Sequence, residues 1–434
     1  MKDFLVICID WFKNDENIKK IGLLFLLAYA FLCFADSSLA KSLIIVPCII
    51  GLYLMVRQSF FPKALFYFLL AIIIVQTMGW FSMWLDHEPW NTKLPKFDFL
   101  VKYFPYLLLM VFIAGNEKRV LIVWSAALAG FFWLILFSPN TIAYWQQALS
   151  GGRPAFGLRN VQDLALFFGV MFFALVCFRQ RLLQGKYLWL KTVLFAVCLL
   201  INLFGVVFTQ TRGIWVASFV VLMFLLVSTL FKNKEGLSKK NIIYVGVLLF
   251  LAQGALHISG QDKVFLKRIN TEQETIEKIV TLQWDEVPLT SVGIRFHLWN
   301  NALTYIKQRP LLGWHSPLAS KKIIEQDTEV RAIKVFTHHH NIYVEILVIA
   351  GVCGLLLFLC FIGYIMKHAY NARKKNLIAA DIYQFNLCFW ILFGVANFFE
   401  PYLIFNNGRI IVILMLLGVT SLIPSLYANV KRAE

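Results

Sequence analysis

Long apolar segments recur along this chain of 434 residues and leave little choice of fold. Hydrophobic residues make up 59% of the sequence and charged residues only 15%. A soluble domain of this length cannot bury so much apolar surface, whereas a helix that crosses a bilayer needs about 20 apolar residues. We therefore predict an all-α polytopic membrane protein with about 12 transmembrane helices. The predicted spans are residues 21–36, 42–56, 64–84, 98–114, 119–137, 162–178, 188–207, 213–231, 241–258, 341–366, 382–399 and 409–427.

These spans divide the chain into three parts. We expect residues 1–258 to carry transmembrane helices 1–9, residues 259–340 to form one long helical loop, and residues 341–434 to carry transmembrane helices 10–12. The first 20 residues mix charge with apolar side chains, which is typical of a short interfacial helix rather than a cleavable signal peptide. The long loop contains no cysteine. Because no disulfide can stabilise it, we expect it to pack on the membrane domain.

Loops that are rich in basic residues alternate along the chain with loops that carry few of them. Residues 232–240 and 367–375 carry several lysines and arginines, while the loops on the opposite side carry few. Loops rich in positive charge stay in the cytoplasm, so both termini are predicted to be cytoplasmic and the long loop periplasmic. The net charge of +17 follows from this topology. No soluble basic domain exists to bind nucleic acid, so the expected surroundings are membrane lipids.

Cations lie beside the starts of several spans at the predicted outer face. Arg159, Arg212 and Arg409 lie at or just before such starts, and Arg295 lies on a helix predicted over residues 293–308. Helix N-termini attract anions and disfavour cations, so a bound anion would explain this arrangement. Alternatively, these arginines bind no anion and only extend their charged groups to the membrane–water interface. Trp299 shares a helix face with Arg295. The apolar residues Leu298, Ala302, Leu303 and Ile306 recur at helical spacing on the same helix, and we expect this stripe to pack on the membrane domain.

Three consecutive histidines, at 338–340, precede Asn341, which is predicted to cap the next span. Neutral imidazole can take a proton from a hydroxyl group near pH 7, so a general base is the preferred interpretation. A metal site and a polar cap without chemistry stay open as alternatives, although no cysteine or paired carboxylate lies nearby at ligand spacing. Glu345 lies one turn into the span, where a carboxylate needs a partner. It either orients an imidazole or an arginine, or forms an ordinary ion pair.

Taken together, these motifs resemble the O-antigen ligase family, which is related to O-antigen polymerases and bacterial protein oligosaccharyltransferases. The number of spans and the position of the long loop before the last three spans agree with this family. Three groups of residues carry the local resemblance: Thr-Gln-Thr-Arg-Gly at 209–213, Gly-Ile-Arg-Phe-His-Leu-Trp at 293–299 with Pro-Leu-Leu-Gly at 310–313, and His-His-His-Asn at 338–341 with Gly351 and Gly354.

The resemblance implies a glycosyltransferase core of the C type and an inverting transfer that needs no metal or other cofactor. The donor would be a glycan on undecaprenyl pyrophosphate and the acceptor lipid A-core oligosaccharide, at the periplasmic face of a Gram-negative inner membrane. Arg212 and Arg295 would neutralise the leaving pyrophosphate. The base would be His338 or His340, with His338 ranked first and His339 last. Further contacts with the pyrophosphate or the glycan are expected from Arg159, Arg409, Trp299, Asn341 and Glu345.

Two related enzymes and one transporter are the alternative interpretations. An O-antigen polymerase and a protein O-oligosaccharyltransferase would use the same donor and differ in the acceptor, so motifs barely separate them. A polysaccharide transporter would place ionisable residues and broken helices near the middle of the membrane. The polar residues of this chain cluster at the outer rim instead, which makes a transporter the less favoured interpretation.

Overall fold

The computed structural model describes residues 14–97, 99–232, 272–315, 318–327 and 333–426, and these residues are helical, with no strand among them. The α-helices are α1 Asp15–Ala35, α2 Ser37–Leu43, α3 Ile45–Arg57, α4 Lys63–Leu85, α5 Tyr106–Leu109, α6 Glu117–Phe137, α7 Thr141–Leu149, α8 Val161–Leu182, α9 Leu188–Phe208, α10 Arg212–Lys232, α11 over residues 272–280, α12 Ser291–Gln308, α13 Ala319–Asp327, α14 Ile342–Lys374, α15 Ala380–Ala396 and α16 Asn406–Thr420. Short 3₁₀ turns lie at Leu100–Tyr103, Met110–Phe112, Trp284–Glu286, Tyr402–Ile404 and Pro424–Leu426.

The apolar helices make this chain a multi-pass membrane protein, as the sequence predicts. Within the described ranges, 8 helices are long and apolar enough to cross a membrane, and three shorter apolar helices accompany them. All of these fall on predicted spans. The remaining predicted span, residues 241–258, lies outside the described residues. The count of twelve and the C-type core therefore stay predictions.

Two helices, α8 and α16, form the centre of the bundle. In α16, 13 of the 15 residues are buried, and α8 is buried on nearly every side along its first half. A helix that is apolar all round has to be surrounded by other helices, and this pattern explains the central position of both. Around them α1 packs on α6, α10 packs on α15, and α4 packs on α14.

The long loop packs on the membrane domain through its helices, as expected from its lack of cysteine. Helices predicted over residues 272–282 and 293–308 correspond to α11 and α12. On α12, Leu298 and Ala302 are completely buried, so the predicted packing stripe is confirmed at these positions. Leu303 was expected in the same stripe, but this residue is 50% exposed because it lies on the outer side of the helix. Trp314 and Val348 join Ala302 in a cluster that connects the loop to α14.

A kink in α14 joins this span to the loop. Gly351 has φ 63° and ψ −166°, and the helix is interrupted there. The backbone groups that the kink releases pair with the turn at residues 310–315, at distances of 2.7 to 3.1 Å. Non-helical backbone inside a membrane is tolerated where such partners exist. The four bonds run from the N–H of Trp314 to the carbonyl of Val348, from His315 to Ile349, from Val352 to Pro310 and from Cys353 to Leu311.

Candidate active site

A cavity of about 210 Å³ lies where the starts of α8, α10 and α12 meet the segment after α15. Arg212 and Arg295 both line it, so the two predicted arginines share one site. Arg153, from the segment before α8, lines the same cavity. Among the described lining residues, three carry a guanidinium and one carries a carboxylate. The positive charge of the lining therefore exceeds its negative charge, which favours an anionic ligand. The other described lining residues are Gln162, Gln210, Thr211, Gly213, Ser291, Val292, Phe399, Glu400 and Tyr402.

Arg295 is half-buried, and one of its N–H groups has no partner among the described residues. Its Nη1 donates to the carbonyl oxygen of Ser291 at 2.9 Å and to the Ser291 hydroxyl at 2.8 Å. Its buried Nε has no hydrogen-bond partner among the described residues. Burial lowers the pKa of Arg295 below its ordinary value, and the nearby Glu400 acts in the opposite direction. A desolvated guanidinium still carries its charge at neutral pH, and an anion would supply the missing acceptor.

Arg212 is held in place by a carboxylate of the loop. Its two terminal nitrogens both donate to Oε1 of Glu272 at 3.1 Å. The other carboxylate oxygen accepts from the hydroxyl of Thr290 at 2.6 Å and from the N–H of Val292 at 3.2 Å. Burial opposes the charge on Glu272, but these hydrogen bonds and Arg212 outweigh it and lower the pKa of Glu272. The start of α10 is thereby tied to α11 and to the start of α12.

His340 lies beside this cavity and is oriented by Glu400. Its Nδ1 is 2.8 Å from Oε2 of Glu400, which is only 2% exposed and itself lines the arginine cavity. An ionised carboxylate can only accept, so Nδ1 carries the proton and Nε2 keeps its lone pair. His340 has a φ of 52°. This left-handed backbone costs roughly 1–3 kcal/mol in a non-glycine residue and is common at functional sites.

Glu400 is one of the cavity residues that sequence reasoning missed. It lies 60 residues after His340 in the chain, so no local motif joins the two. One signal was available. Glu400 is a carboxylate between Phe399 and Pro401 in an apolar stretch at the end of a predicted span, where it needs a partner.

His338 has a different environment from His340. Its Nδ1 accepts the backbone N–H of His340 at 3.3 Å, which places the proton of the neutral ring on Nε2. Burial, with a smaller contribution from the neighbouring His340, lowers the pKa of His338 to about 4. Both observations make His338 a poor general base. The geometry therefore favours His340, whereas the sequence ranked His338 first.

His339 is fully buried and belongs to a structural network. Its Nδ1 lies 2.9 Å from Oε1 of Glu345, and its backbone N–H donates to the same oxygen at 2.6 Å. Oε2 of Glu345 accepts from the hydroxyl of Ser320 at 2.6 Å. The indole N–H of Trp299 donates to the carbonyl oxygen of His339 at 2.8 Å. These bonds show that Glu345 and Trp299 hold the histidine segment, and the substrate contacts expected of both residues stay a prediction.

The other expected substrate residues do not line the described part of the arginine cavity. Asn341 caps α14, accepting from the N–H groups of Tyr343 and Val344 at 2.9 and 3.3 Å, as predicted. Arg159 lies with its guanidinium carbon 3.4 Å from the ring centre of Phe405. Arg409 donates to Asn406. Arg159 remains close to the histidines, because the Phe405 ring also packs against His338.

His338, His340 and Glu400 form a group whose ligand atoms all lie within 4.8 Å of one another. Two imidazoles and one carboxylate are a set that can bind zinc. The sequence showed no cysteine or paired carboxylate at ligand spacing near the histidines, so this set, with Glu400, was not foreseen. A metal would have to displace the hydrogen bond between His340 and Glu400.

Comparison with known families is informative for the loop and the helices that flank it. Residues 196–359 match a family model described as O-Antigen ligase. These residues form an O-antigen ligase family domain. The resemblance inferred from the motifs is thereby confirmed. The O-antigen ligase domain contains Arg212, Arg295 and the histidines at 338–340, whereas Glu400 lies beyond its end.

One relative extends the similarity to a larger part of the chain. An uncharacterized protein of Haemophilus influenzae is 26% identical over 289 residues, which are 64% of this chain and 66% of the relative. The match thus spans slightly less than two thirds of that protein. The O-antigen ligase family consists of glycosyltransferase-like ligases and polymerases, and the match supports an enzyme of this general class.

Proposed function

We propose that this protein is an O-antigen ligase, which transfers a glycan from undecaprenyl pyrophosphate to lipid A-core oligosaccharide at the periplasmic face of a Gram-negative inner membrane. The observation that supports this most is the position of Glu400, which lines the cavity of Arg212 and Arg295 and also orients His340. A site suited to pyrophosphate and a candidate general base are therefore connected by one carboxylate. The match to the O-antigen ligase family supports a lipid-linked glycan as the class of donor.

The proposed reaction begins at the acceptor hydroxyl. Nε2 of His340 takes its proton while the oxygen attacks the anomeric carbon of the donor sugar. The bond between this carbon and the pyrophosphate oxygen breaks, and attack from the opposite face inverts the anomeric centre. Glu400 stabilises the imidazolium that forms, as an oriented carboxylate does for other catalytic histidines. A positioned general base typically contributes about 10²–10⁴ in rate.

The leaving pyrophosphate gains its charge without needing a proton. Arg212 and Arg295 would stabilise that charge through bidentate hydrogen bonds, which lysine cannot form. Because these cations lie where the charge develops, we propose that the reaction needs no metal ion. The group formed by His338, His340 and Glu400 then acts through proton transfer rather than as a set of metal ligands.

The assignment of the base is tested with matched histidine variants. His340→Ala should reduce turnover by about 10² or more while donor binding is kept. His338→Asn retains an acceptor for the His340 N–H group, so we expect it to lose less than about tenfold. Glu400→Gln should lower kcat more than it changes KM, because it removes the charge that stabilises the imidazolium. Wild-type turnover in His340→Ala together with loss in His338→Asn would reverse the assignment.

The acceptor is tested in a deletion strain. A ligase deletion should leave core-only lipopolysaccharide on a gel, with polymerised glycan still on the undecaprenyl carrier. Lipopolysaccharide that carries core plus one repeat unit would identify a polymerase instead. Unchanged lipopolysaccharide with an unglycosylated protein would point to a protein oligosaccharyltransferase.

A further inference from the structure

A cavity of about 180 Å³ lies between helices of the membrane domain, at the end of α8 that is far from the histidines. Helices α1, α6, α8, α15 and α16 supply its described lining residues, which are apolar or aromatic except for Ser125 and Arg181. Arg181 lies in the last turn of α8, whereas Gln162, which lines the arginine cavity, lies in the first turn. The rise of a helix places these two residues about 28 Å apart, so the cavity is separate from the candidate active site.

We propose that this cavity, which Arg181 closes at one end with Glu117 and Asp381, binds an acyl chain of a phospholipid whose head group carries an ammonium, of the phosphatidylethanolamine type. The lipid belongs to the half of the bilayer opposite the histidines and is not a substrate. It fills the space between α6, α8 and α15 and so holds these helices together. The inference does not depend on which reaction the enzyme catalyses.

The length of the cavity matches the depth of one leaflet. Along α8 its described lining runs from Val170 to the last turn at Arg181, which is about 16 Å of helix. The hydrocarbon core of a bilayer is about 30 Å thick, so one leaflet contributes about 15 Å. Charged side chains at the ends of membrane helices lie at the level of the lipid head groups. An acyl chain that enters beside Arg181 therefore ends near the middle of the bilayer, at Val170.

The lining suits a hydrocarbon chain and not a polar ligand. Met171 and Met415 both line the cavity, and methionine side chains adapt to apolar ligands of irregular shape. The indole N–H of Trp124 donates to the carbonyl of Leu414 at 3.0 Å and is not available to a ligand. A buried water needs about two to four polar partners, which this lining does not offer along most of its length. Hydrocarbon is therefore the occupant that the described walls favour.

The charged groups around Arg181 are complementary to a zwitterionic head group. Arg181 donates from Nε and Nη2 to the two carboxylate oxygens of Asp381, at 2.7 and 3.0 Å. Its Nη1 lies 2.8 Å from Oε1 of Glu117. Two carboxylates around one guanidinium leave an excess of negative charge, which attracts an ammonium. Arg181 also has further N–H groups, which can donate to the phosphate that lies next to the ammonium in such a lipid.

The test measures lipid binding to the full chain, purified in detergent and freed of lipid. Phosphatidylethanolamine, phosphatidylcholine and phosphatidylglycerol with the same acyl chains are added in turn, and native mass spectrometry and thermal unfolding report binding. At about 100 times its Kd, phosphatidylethanolamine should raise the unfolding temperature of the wild type by roughly 3–5 °C. Phosphatidylcholine, whose ammonium has no N–H group, and the anionic phosphatidylglycerol should each bind roughly fivefold more weakly or less.

A matched pair of variants probes the cavity itself. Ala174→Phe places a ring in the lining of α8, so phosphatidylethanolamine should bind roughly tenfold more weakly or less. Without lipid this variant should be as stable as the wild type or more stable, because it fills a cavity. Ala129→Phe is the control, since Ala129 is exposed on α6 and is not among the described lining residues. This control should bind the lipid within about twofold of the wild type.

A second variant probes the head group and keeps the cavity unchanged. Glu117→Gln retains an oxygen that accepts from Arg181 and removes one negative charge. The preference for phosphatidylethanolamine over phosphatidylcholine should then largely disappear, while the affinity for phosphatidylcholine stays within about twofold. If Ala174→Phe fails to fold, this loss of preference tests the same site.

Several results would overturn the inference and leave the proposed function untouched, because no measurement involves the glycan donor. One is equal affinity of the wild type and Ala174→Phe for phosphatidylethanolamine. Another is tighter binding of phosphatidylglycerol than of phosphatidylethanolamine, which would contradict the ammonium head group. A preference for phosphatidylethanolamine that persists in Glu117→Gln would contradict the position of the head group beside Arg181.

Discussion

Replacement of Gly351 by alanine should disrupt the joint between the loop and α14. Gly351 has φ 63° and ψ −166°, a combination that is essentially restricted to glycine. A methyl group at this position would also collide with the carbonyl group of Leu311 in the turn that pairs with the kink. The turn must therefore move away from the helix.

The cost follows from the contacts at the joint. Holding alanine in this backbone conformation costs roughly 1–3 kcal/mol. The collision involves Leu311, whose carbonyl accepts from Cys353 at 3.1 Å, and the adjacent Pro310, whose carbonyl accepts from Val352 at 2.8 Å. Losing these two bonds adds about 0.5–1.5 kcal/mol each. We expect Gly351→Ala to lower stability by about 4 kcal/mol in total.

Activity should fall as well, because the same helix begins next to the histidines. His340 lies directly before the cap of α14, and a displacement of a catalytic group by about 1 Å can cost roughly 10²-fold in rate. Thermal unfolding in one detergent and the rate of glycan transfer would measure the two effects. Gly363→Ala in the same helix is the control, since no heavy atom outside the helix backbone lies within 4 Å of the added methyl group. This control should be neutral or more stable by up to about 1 kcal/mol.

Equal unfolding temperatures and equal transfer rates for Gly351→Ala and Gly363→Ala would refute the role of this joint. A loss of activity without loss of stability would show that the kink serves the chemistry and not the attachment of the loop.

Three further predictions follow from the site. Glu345→Gln should lower stability by about 3–5 kcal/mol, because it breaks a buried pair with His339, and thermal unfolding measures this directly. The pKa of His338 is about 4 in the folded protein, below the ordinary value of 6.5, so protons bind more readily to the unfolded chain and stability should fall as the pH drops from about 6.5 to 4. His338→Asn should remove the part of this loss of stability that His338 causes, which is at most about 3 kcal/mol. Unfolding of the wild type and the variant at pH 7 and at pH 4.5 measures this difference. Glycan transfer should persist in excess EDTA, whereas a loss that zinc or magnesium restores would contradict the metal-free reaction.

Much of the membrane domain could be predicted from the sequence, because long apolar segments have few solutions in a bilayer. The cap at Asn341 was predicted from residue type, and its side chain accepts from the N–H groups of Tyr343 and Val344. Arg212 and Arg295 were predicted from motifs. The two arginines line one cavity because of the way the loop packs. That packing includes the hydrogen bond from Arg212 to Glu272, and no local sequence pattern specifies this bond.

The roles of the three histidines could be predicted only in part. Side chains of an extended segment point alternately to opposite sides, so positions 338 and 340 should share a side and position 339 should oppose them. The structure agrees with this alternation. His339 is buried against Glu345, and the rings of His338 and His340 lie 4.2 Å apart on the other side.

The choice between His338 and His340 depends on a residue far away in the chain. Glu400 contacts Nδ1 of His340 and leaves Nε2 available, while Nδ1 of His338 accepts a backbone N–H and its ring stays neutral. The left-handed backbone of His340 is unfavourable by itself, so neighbouring contacts have to hold it. Those contacts are the buried His339 before it and the capping Asn341 after it. His339 and Asn341 thus hold in place the imidazole that we propose as the general base.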